Sequence, residues 1–142
     1  MLSSAALVLA ERITGVEVKI ATQKSSVGAN QDISLTTVIR NVSKQDERFQ
    51  VWSCSYPKQW MSDKPTLIRI PDVPCKKNDI SLISLKPGET YRRELSIQIV
   101  RKPGDDTSPP LTFRLRFESI PGASEQPTIH VWSNFLKLWI TA

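Results

Sequence analysis

The sequence predicts an all-β protein, an antiparallel β-sandwich of seven or eight short strands. Three observations lead there. Apolar residues recur with a period of two in most of the β-prone segments. Turn-forming residues punctuate the chain every 8–14 residues, the spacing of short strands joined by tight connections. No segment shows the three-to-four-residue apolar repeat of an amphipathic helix, and ten prolines against five glycines favour a loop-rich β protein. Strands with one buried face must lay that face on a second sheet, which is the reason for a sandwich.

The elements follow in order. GVEVKIATQ (15–23) sets Val16, Val18 and Ile20 against Glu17, Lys19 and Ala21, a strand with one buried face. After the turn-rich SVGANQD, DISLTTVIRNV (32–42) aligns Ile33, Leu35, Thr37 and Ile39 on one side. Phe49, Val51 and Ser53 mark a third strand running toward Cys54. TLIRI (66–70) lies between prolines and reads as an edge strand, because proline cannot donate to a ladder. DISLISL (79–85) leads into Lys86-Pro87-Gly88-Glu89, where Pro then Gly suits a type II turn. Beyond it Tyr91, Leu95, Ile97 and Ile99 alternate with Arg92, Glu94, Ser96 and Gln98. TFRLRF (112–117) points Phe113, Leu115 and Phe117 inward with Arg114 and Arg116 outward, and 128–141 closes the chain as one long β-prone segment.

The domain plan is simple. Residues 13–142 read as a single β-sandwich domain. Residues 1–12, with the apolar Leu2–Ala10, resemble the latter half of a signal peptide, a short N-terminal extension being the other reading. That run is far below the ~20 apolar residues that span a bilayer, so no membrane span is expected. Cys54 and Cys75 bracket a proline-rich stretch, and an even cysteine count suggests one disulfide closing it. Together these features predict a periplasmic or secreted protein. The formal charge of +5 comes from scattered residues with only Lys76-Lys77, Arg92-Arg93 and Arg101-Lys102 as doublets, so a solvated surface is expected and nucleic acid is not.

Two stretches resemble a known family. The strand closing on Asn-Val-Ser (SLTTVIRNVS, 34–43) and the Leu-Lys-Pro-Gly-Glu turn with its following strand (LKPGETYRRELSIQI, 85–99) resemble bacterial immunoglobulin-like domains. The intracellular proteinase inhibitor of bacilli and export-associated accessory modules are similar in the same respect. The resemblance implies an immunoglobulin-like sandwich and no particular activity.

Catalytic and metal chemistry find little support. His130 stands alone in a predicted strand, whereas a copper or zinc site needs several such ligands. Ser53 or Ser133 could be drawn into a triad with His130, but no GxSxG elbow is present. Paired acids are limited to Asp105-Asp106 or Glu118 with Glu125, and no glycine-rich phosphate loop occurs. A non-enzyme without cofactor is expected. Asn41-Val42-Ser43 matches a glycosylation sequon, although an Asn where a strand enters a turn accounts for it equally.

Binding remains, most simply recognition of a protein or surface partner through a sheet face or edge. The contact residues expected are Trp60, Tyr56, Arg114 and Arg116. A carbohydrate-binding module stacking Trp60, Tyr56 and Trp139, with Trp52, on sugar rings is the alternative. A protease inhibitor using the 54–75 or 101–110 loop is the third reading. All four tryptophans fall in VWSCSYPKQW (51–60) and VWSNFLKLW (131–139). Trp52 is expected in the core beside the disulfide, and Trp60 in a loop. Unbroken alternation would set Trp132 on one face with His130, Asn134, Leu136 and Leu138, and Trp139 on the other with Phe135.

Overall fold

The computed structural model describes residues 15–100, 110–121 and 128–141. The expected signal-peptide remnant (1–12), the 101–109 loop with Asp105-Asp106, and Glu125 lie outside the described residues. Within them the regular structure is almost entirely strand: β1 (Val16–Ala21), β2 (Ser26–Gly28), β3 (Asp32–Asn41), β4 (Glu47–Trp52), β5 (Trp60–Ser62), β6 (Ile68–Arg69), β7 (Ile80–Leu85), β8 (Thr90–Ile99), β9 (Leu111–Phe113), β10 (Leu115–Glu118), β11 (His130–Trp132) and β12 (Leu136–Thr141). One 3-10 turn, Tyr56–Gln59, stands between β4 and β5.

One layer is the antiparallel sheet β1-β3-β8-β6. The period of two read in the sequence is realised there, with Val16, Val18, Ile20, Ile33, Leu35, Ile39, Leu95, Ile97 and Ile99 buried. β6 is an edge strand of two residues, as its flanking prolines required. The turn into β8 forms as expected. Gly88 takes φ +84°, the left-handed region, and Glu89 N–H donates to the Lys86 carbonyl at 2.9 Å.

The opposing layer is assembled from ladders β5-β10-β11 and β2-β12-β9, with the β4-β7 ladder alongside. Gln59 stitches β4 to this layer: its Oε1 accepts from Trp52 N–H at 2.8 Å and its Nε2 donates to the Gln50 and Glu118 carbonyls. Ile120 N–H also donates to Gln50. Phe49, Val51, Phe113, Leu115, Phe117, Ile129 and Leu138 carry the layer's share of the core. Phe117 sits at its centre, edge-on to Phe49 at 5.6 Å and tilted on Trp60 at 5.2 Å between ring centroids.

Four expectations are corrected here. TFRLRF is broken at Arg114 into β9 and β10, and 128–141 is broken at Ser133–Phe135 into β11 and β12. Trp52 is half-buried and outside the core cluster, because β4 sends Phe49 and Val51 inward and the residue after Val51 must face the other way. Trp60 is not a loop residue: it opens β5, pairs opposite Phe117, and is buried.

Candidate functional site

The break at Ser133–Phe135 decides what the surface presents. Arg116 pairs opposite Trp132, and Phe113 pairs opposite Leu136. Between those pairs two residues, Arg114 and Leu115, oppose three, Ser133, Asn134 and Phe135. This is a β-bulge, and one extra residue reverses which parity of side chains faces the core. Before the bulge Ile129 and Ser133 are buried while His130 and Trp132 face out; after it Leu138 is buried while Phe135, Lys137 and Trp139 face out. The expected grouping of Trp132 with Leu136 and Leu138 therefore does not occur, and Trp132 shares the outer face with Phe135 and Trp139.

Ser133 and Asn134 hold the bulge in place. Ser133 N–H donates to the Leu115 carbonyl at 2.7 Å, and Ser133 Oγ accepts from Leu115 N–H at 3.0 Å. Asn134 Oδ1 accepts from Ile20 N–H at 2.8 Å and its Nδ2 donates to the Ile20 carbonyl at 3.2 Å. The Asn134 side chain thereby replaces a strand neighbour for β1 and ties the two layers together. An Asn inside an otherwise β-prone run is the sequence signal for this break, since Asn is depleted in regular strands.

The outer face reads across three strands as Met61, Arg116 and Trp132, each directly opposite the next, with Phe135 and Trp139 continuing it. Trp132 is 36% exposed, Trp139 51% and Phe135 59%. The Arg114 guanidinium lies 4.4 Å from the Trp132 ring centroid and 4.9 Å from that of Phe135, and Arg116 lies 5.6 Å from Trp132. Such cation–π contacts contribute about 0.5–1 kcal/mol each at exposed sites and keep the guanidiniums beside the rings. At one end Glu118 faces His130 Nδ1 at 3.8 Å and Arg116 Nη2 at 3.9 Å.

The expected contact residues divide into two groups. Arg114 and Arg116 are on this face. Trp60, 8% exposed, is packed beneath it against Phe117. Tyr56 is half-buried and its ring is covered by the Arg93 guanidinium at 3.5 Å. Arg93 in turn donates to the Ser53 carbonyl at 2.8 Å and the Tyr91 hydroxyl at 3.1 Å. Trp132, Phe135 and Met61 were not legible as surface contacts, because their direction depends on the bulge and on β5.

Cys54 and Cys75 form a disulfide, as their number and spacing suggested. Beside it Asn78 Oδ1 accepts from Cys54 and Ser55 N–H, both at 3.1 Å. Asn41 of the sequon is fully buried, its Nδ2 donating to the Gln45 and Leu85 carbonyls and its Oδ1 accepting from Ser43 N–H. That amide is committed to the fold. A polar hollow of 590 Å³ on the far sheet is lined by Thr22, Asp32, Ser34, Thr36 and Glu94. Its groups pair internally, with the Ser34 and Thr36 hydroxyls both donating to Glu94 at 2.9 Å. Among the described residues no group of three or more His, Cys, Asp and Glu side chains is placed to hold a metal ion. Among them, too, no helix is long and apolar enough to cross a membrane.

With the architecture described, similarity to solved structures can be stated. The segment of native alpha-2-macroglobulin from Escherichia coli running from domain MG7 to the C-terminus matches over 90% of this chain, at 9% identity and a TM-score of 0.51. The fold is that of a bacterial immunoglobulin-like sandwich. The sporulation control protein Spo0M of Bacillus subtilis matches this immunoglobulin-like domain over 90% of its length, at 10% identity and a TM-score of 0.50. The domain spans 17% of the macroglobulin chain and 50% of the Spo0M chain. The C-terminal domain of wzt aligns over 91% of it at 13% identity, with a TM-score of 0.43 too low to argue from. No protein-family model and no curated protein matches the sequence. At these identities the likeness establishes the immunoglobulin-like fold alone.

Proposed function

We propose that this chain is a non-catalytic interaction domain of a periplasmic or secreted protein, and that it recognises a protein partner through the face of Trp132, Phe135 and Trp139. The observation that carries this reading is the bulge, which turns three large aromatic side chains outward on one layer, two of them beside a pair of arginines. Aromatic residues, Met and Arg are the side chains enriched at protein interfaces, and Trp, Tyr and Arg dominate their energetic centres. The disulfide supports an oxidising compartment.

The carbohydrate reading is less well supported. Stacking on sugar needs open ring faces, and Arg114 already lies over Trp132 and Phe135. Trp139 is then the one strongly exposed tryptophan of the face without a guanidinium over it among the described residues. The inhibitor reading is weakened for the 54–75 segment, most of which is held by β5 and β6 in the two layers, with 72–75 exposed; the 101–109 loop lies outside the described residues.

The test compares proteins captured from the native host by the wild type and by two surface variants. Phe135→Ser with Trp139→Ser should abolish a specific capture, and Ile80→Ser with Leu82→Ser, altering the exposed residues of β7, should leave it intact. Equal capture by all three would overturn this assignment of the face.

A further inference from the structure

We infer that the Arg114–Arg116 edge of this face reads a carboxylate, so that the partner contributes an Asp or Glu side chain set among apolar residues. The inference rests on the docking face proposed above and adds the chemistry of what docks. It begins from an imbalance of charge and of accessible donors. The Nε atoms of Arg114 and Arg116 are both buried and without a hydrogen-bond partner among the described residues. The Nη groups are therefore the donors that a partner's carboxylate can reach, and the Arg116 side chain is 30% exposed.

The acids near the two arginines do not saturate those donors. Asp63 Oδ1 accepts from the backbone N–H of Arg114 at 3.0 Å and so serves the break between β9 and β10. Glu118 Oε2 lies 3.9 Å from Arg116 Nη2, the outer limit of an ion pair, and also faces His130. The other polar neighbour of Arg116 is the Met61 sulfur at 3.6 Å, a weak acceptor. Lys137 is exposed on the same side of β12 as Phe135 and Trp139. The face therefore sets Arg114, Arg116 and Lys137 against Asp63 and Glu118, an excess of positive charge that an acidic group on the partner would complement.

The surroundings decide which anion fits. A guanidinium is a planar fork that matches a carboxylate with two parallel hydrogen bonds, and the Trp132 and Phe135 rings hold that of Arg114 in place at 4.4 and 4.9 Å. Met61 beside Arg116 and Phe135 beside Arg114 offer exposed apolar surface, which suits an acidic residue flanked by apolar side chains. A hydrated polyanion would leave that surface unused. Base stacking on nucleic acid would need rings that the arginines already cover.

The experiment selects binders from a random dodecapeptide display library on the full chain and measures affinities by fluorescence anisotropy at rising salt. Polygalacturonate serves as the acidic carbohydrate probe. Selected peptides are expected to carry Asp or Glu, to bind more weakly as salt rises, and to lose affinity about tenfold or more when that acid becomes its amide. Arg114→Gln with Arg116→Gln should cause a similar loss, with little further loss from the amide peptide, since both changes remove one interaction. Arg114→Lys keeps the charge but not the fork and should recover only part of the affinity, which separates recognition from a folding defect. Peptides lost on Phe135→Ser but indifferent to the arginine changes would overturn the carboxylate and leave the docking face standing. Binding of polygalacturonate that depends on Arg114, without acidic peptides, would overturn the inference in favour of an acidic glycan. A selection in which no peptide depends on Phe135 or Trp139, or no peptide binds, would overturn both.

Discussion

Trp132 and Leu138 stand six positions apart in one β-prone run and face opposite sides of the sheet, Trp132 in solvent and Leu138 in the core. Even spacing on a regular strand would place them on the same side. The added residue at Ser133–Phe135 reverses the parity, and the Ser133 and Asn134 side chains satisfy the backbone groups that the break leaves without ladder partners. The local polar residues of Val-Trp-Ser-Asn-Phe build the bulge, and its aromatic residues become the exposed face.

Asn134→Ala should destabilise the fold by about 1–3 kcal/mol, because it removes the side chain that pairs with both Ile20 backbone groups. Asn41→Ala should cost about 2–4 kcal/mol, since the Leu85 and Gln45 carbonyls and Ser43 N–H all lose a partner. Urea titration followed by circular dichroism measures both. Losses below about 0.5 kcal/mol in either case would mean that these amides are readily replaced by water.

The tryptophans should separate by quenching and by mutation. Trp132 and Trp139 are accessible to acrylamide, whereas Trp60 is shielded by Phe117 and the sheet above it. Trp60→Ala should cost about 3–5 kcal/mol as a large core deletion. Trp139→Ala should stay within about 0.5 kcal/mol as a surface change. Single-tryptophan variants in stopped-flow quenching check the first point, and thermal denaturation the second.

Reducing the Cys54–Cys75 bond should lower stability by about 3 kcal/mol, from the freedom regained by the 21-residue separation in the unfolded chain. Denaturant midpoints with and without dithiothreitol, alongside Cys54→Ser with Cys75→Ser, measure it. A double-serine variant as stable as the wild type would show that the β4–β7 ladder and the Asn78 bonds already confine the loop.

Gly88→Ala should cost about 1 kcal/mol although a methyl group there meets nothing within 4 Å. The cost comes from the positive φ alone, so Gly88→Asn should recover part of it. Equal stabilities for the two variants, measured by thermal denaturation, would mean that the turn relaxes to another type.

What the sequence determined by itself was the local pattern. Period-two alternation in 16–21, 32–41 and 90–99 and the Pro-Gly turn depend on neighbours a few residues away, and the cysteine pair on an even count alone, and each took the expected form. Arg114 and Arg116 were legible as outward-facing for the same reason. The tertiary structure alone decided the directions of Trp60, Trp132, Phe135 and Trp139. Trp60 is inward because β5 pairs with β10 across a long sequence separation. Trp132 and Phe135 share a face because Asn134 finds its partners on β1, more than a hundred residues away. Alternation carries a side chain's direction along an unbroken strand; Asn134 hints at an interruption, and the pairing partners fix its place and the extra residue.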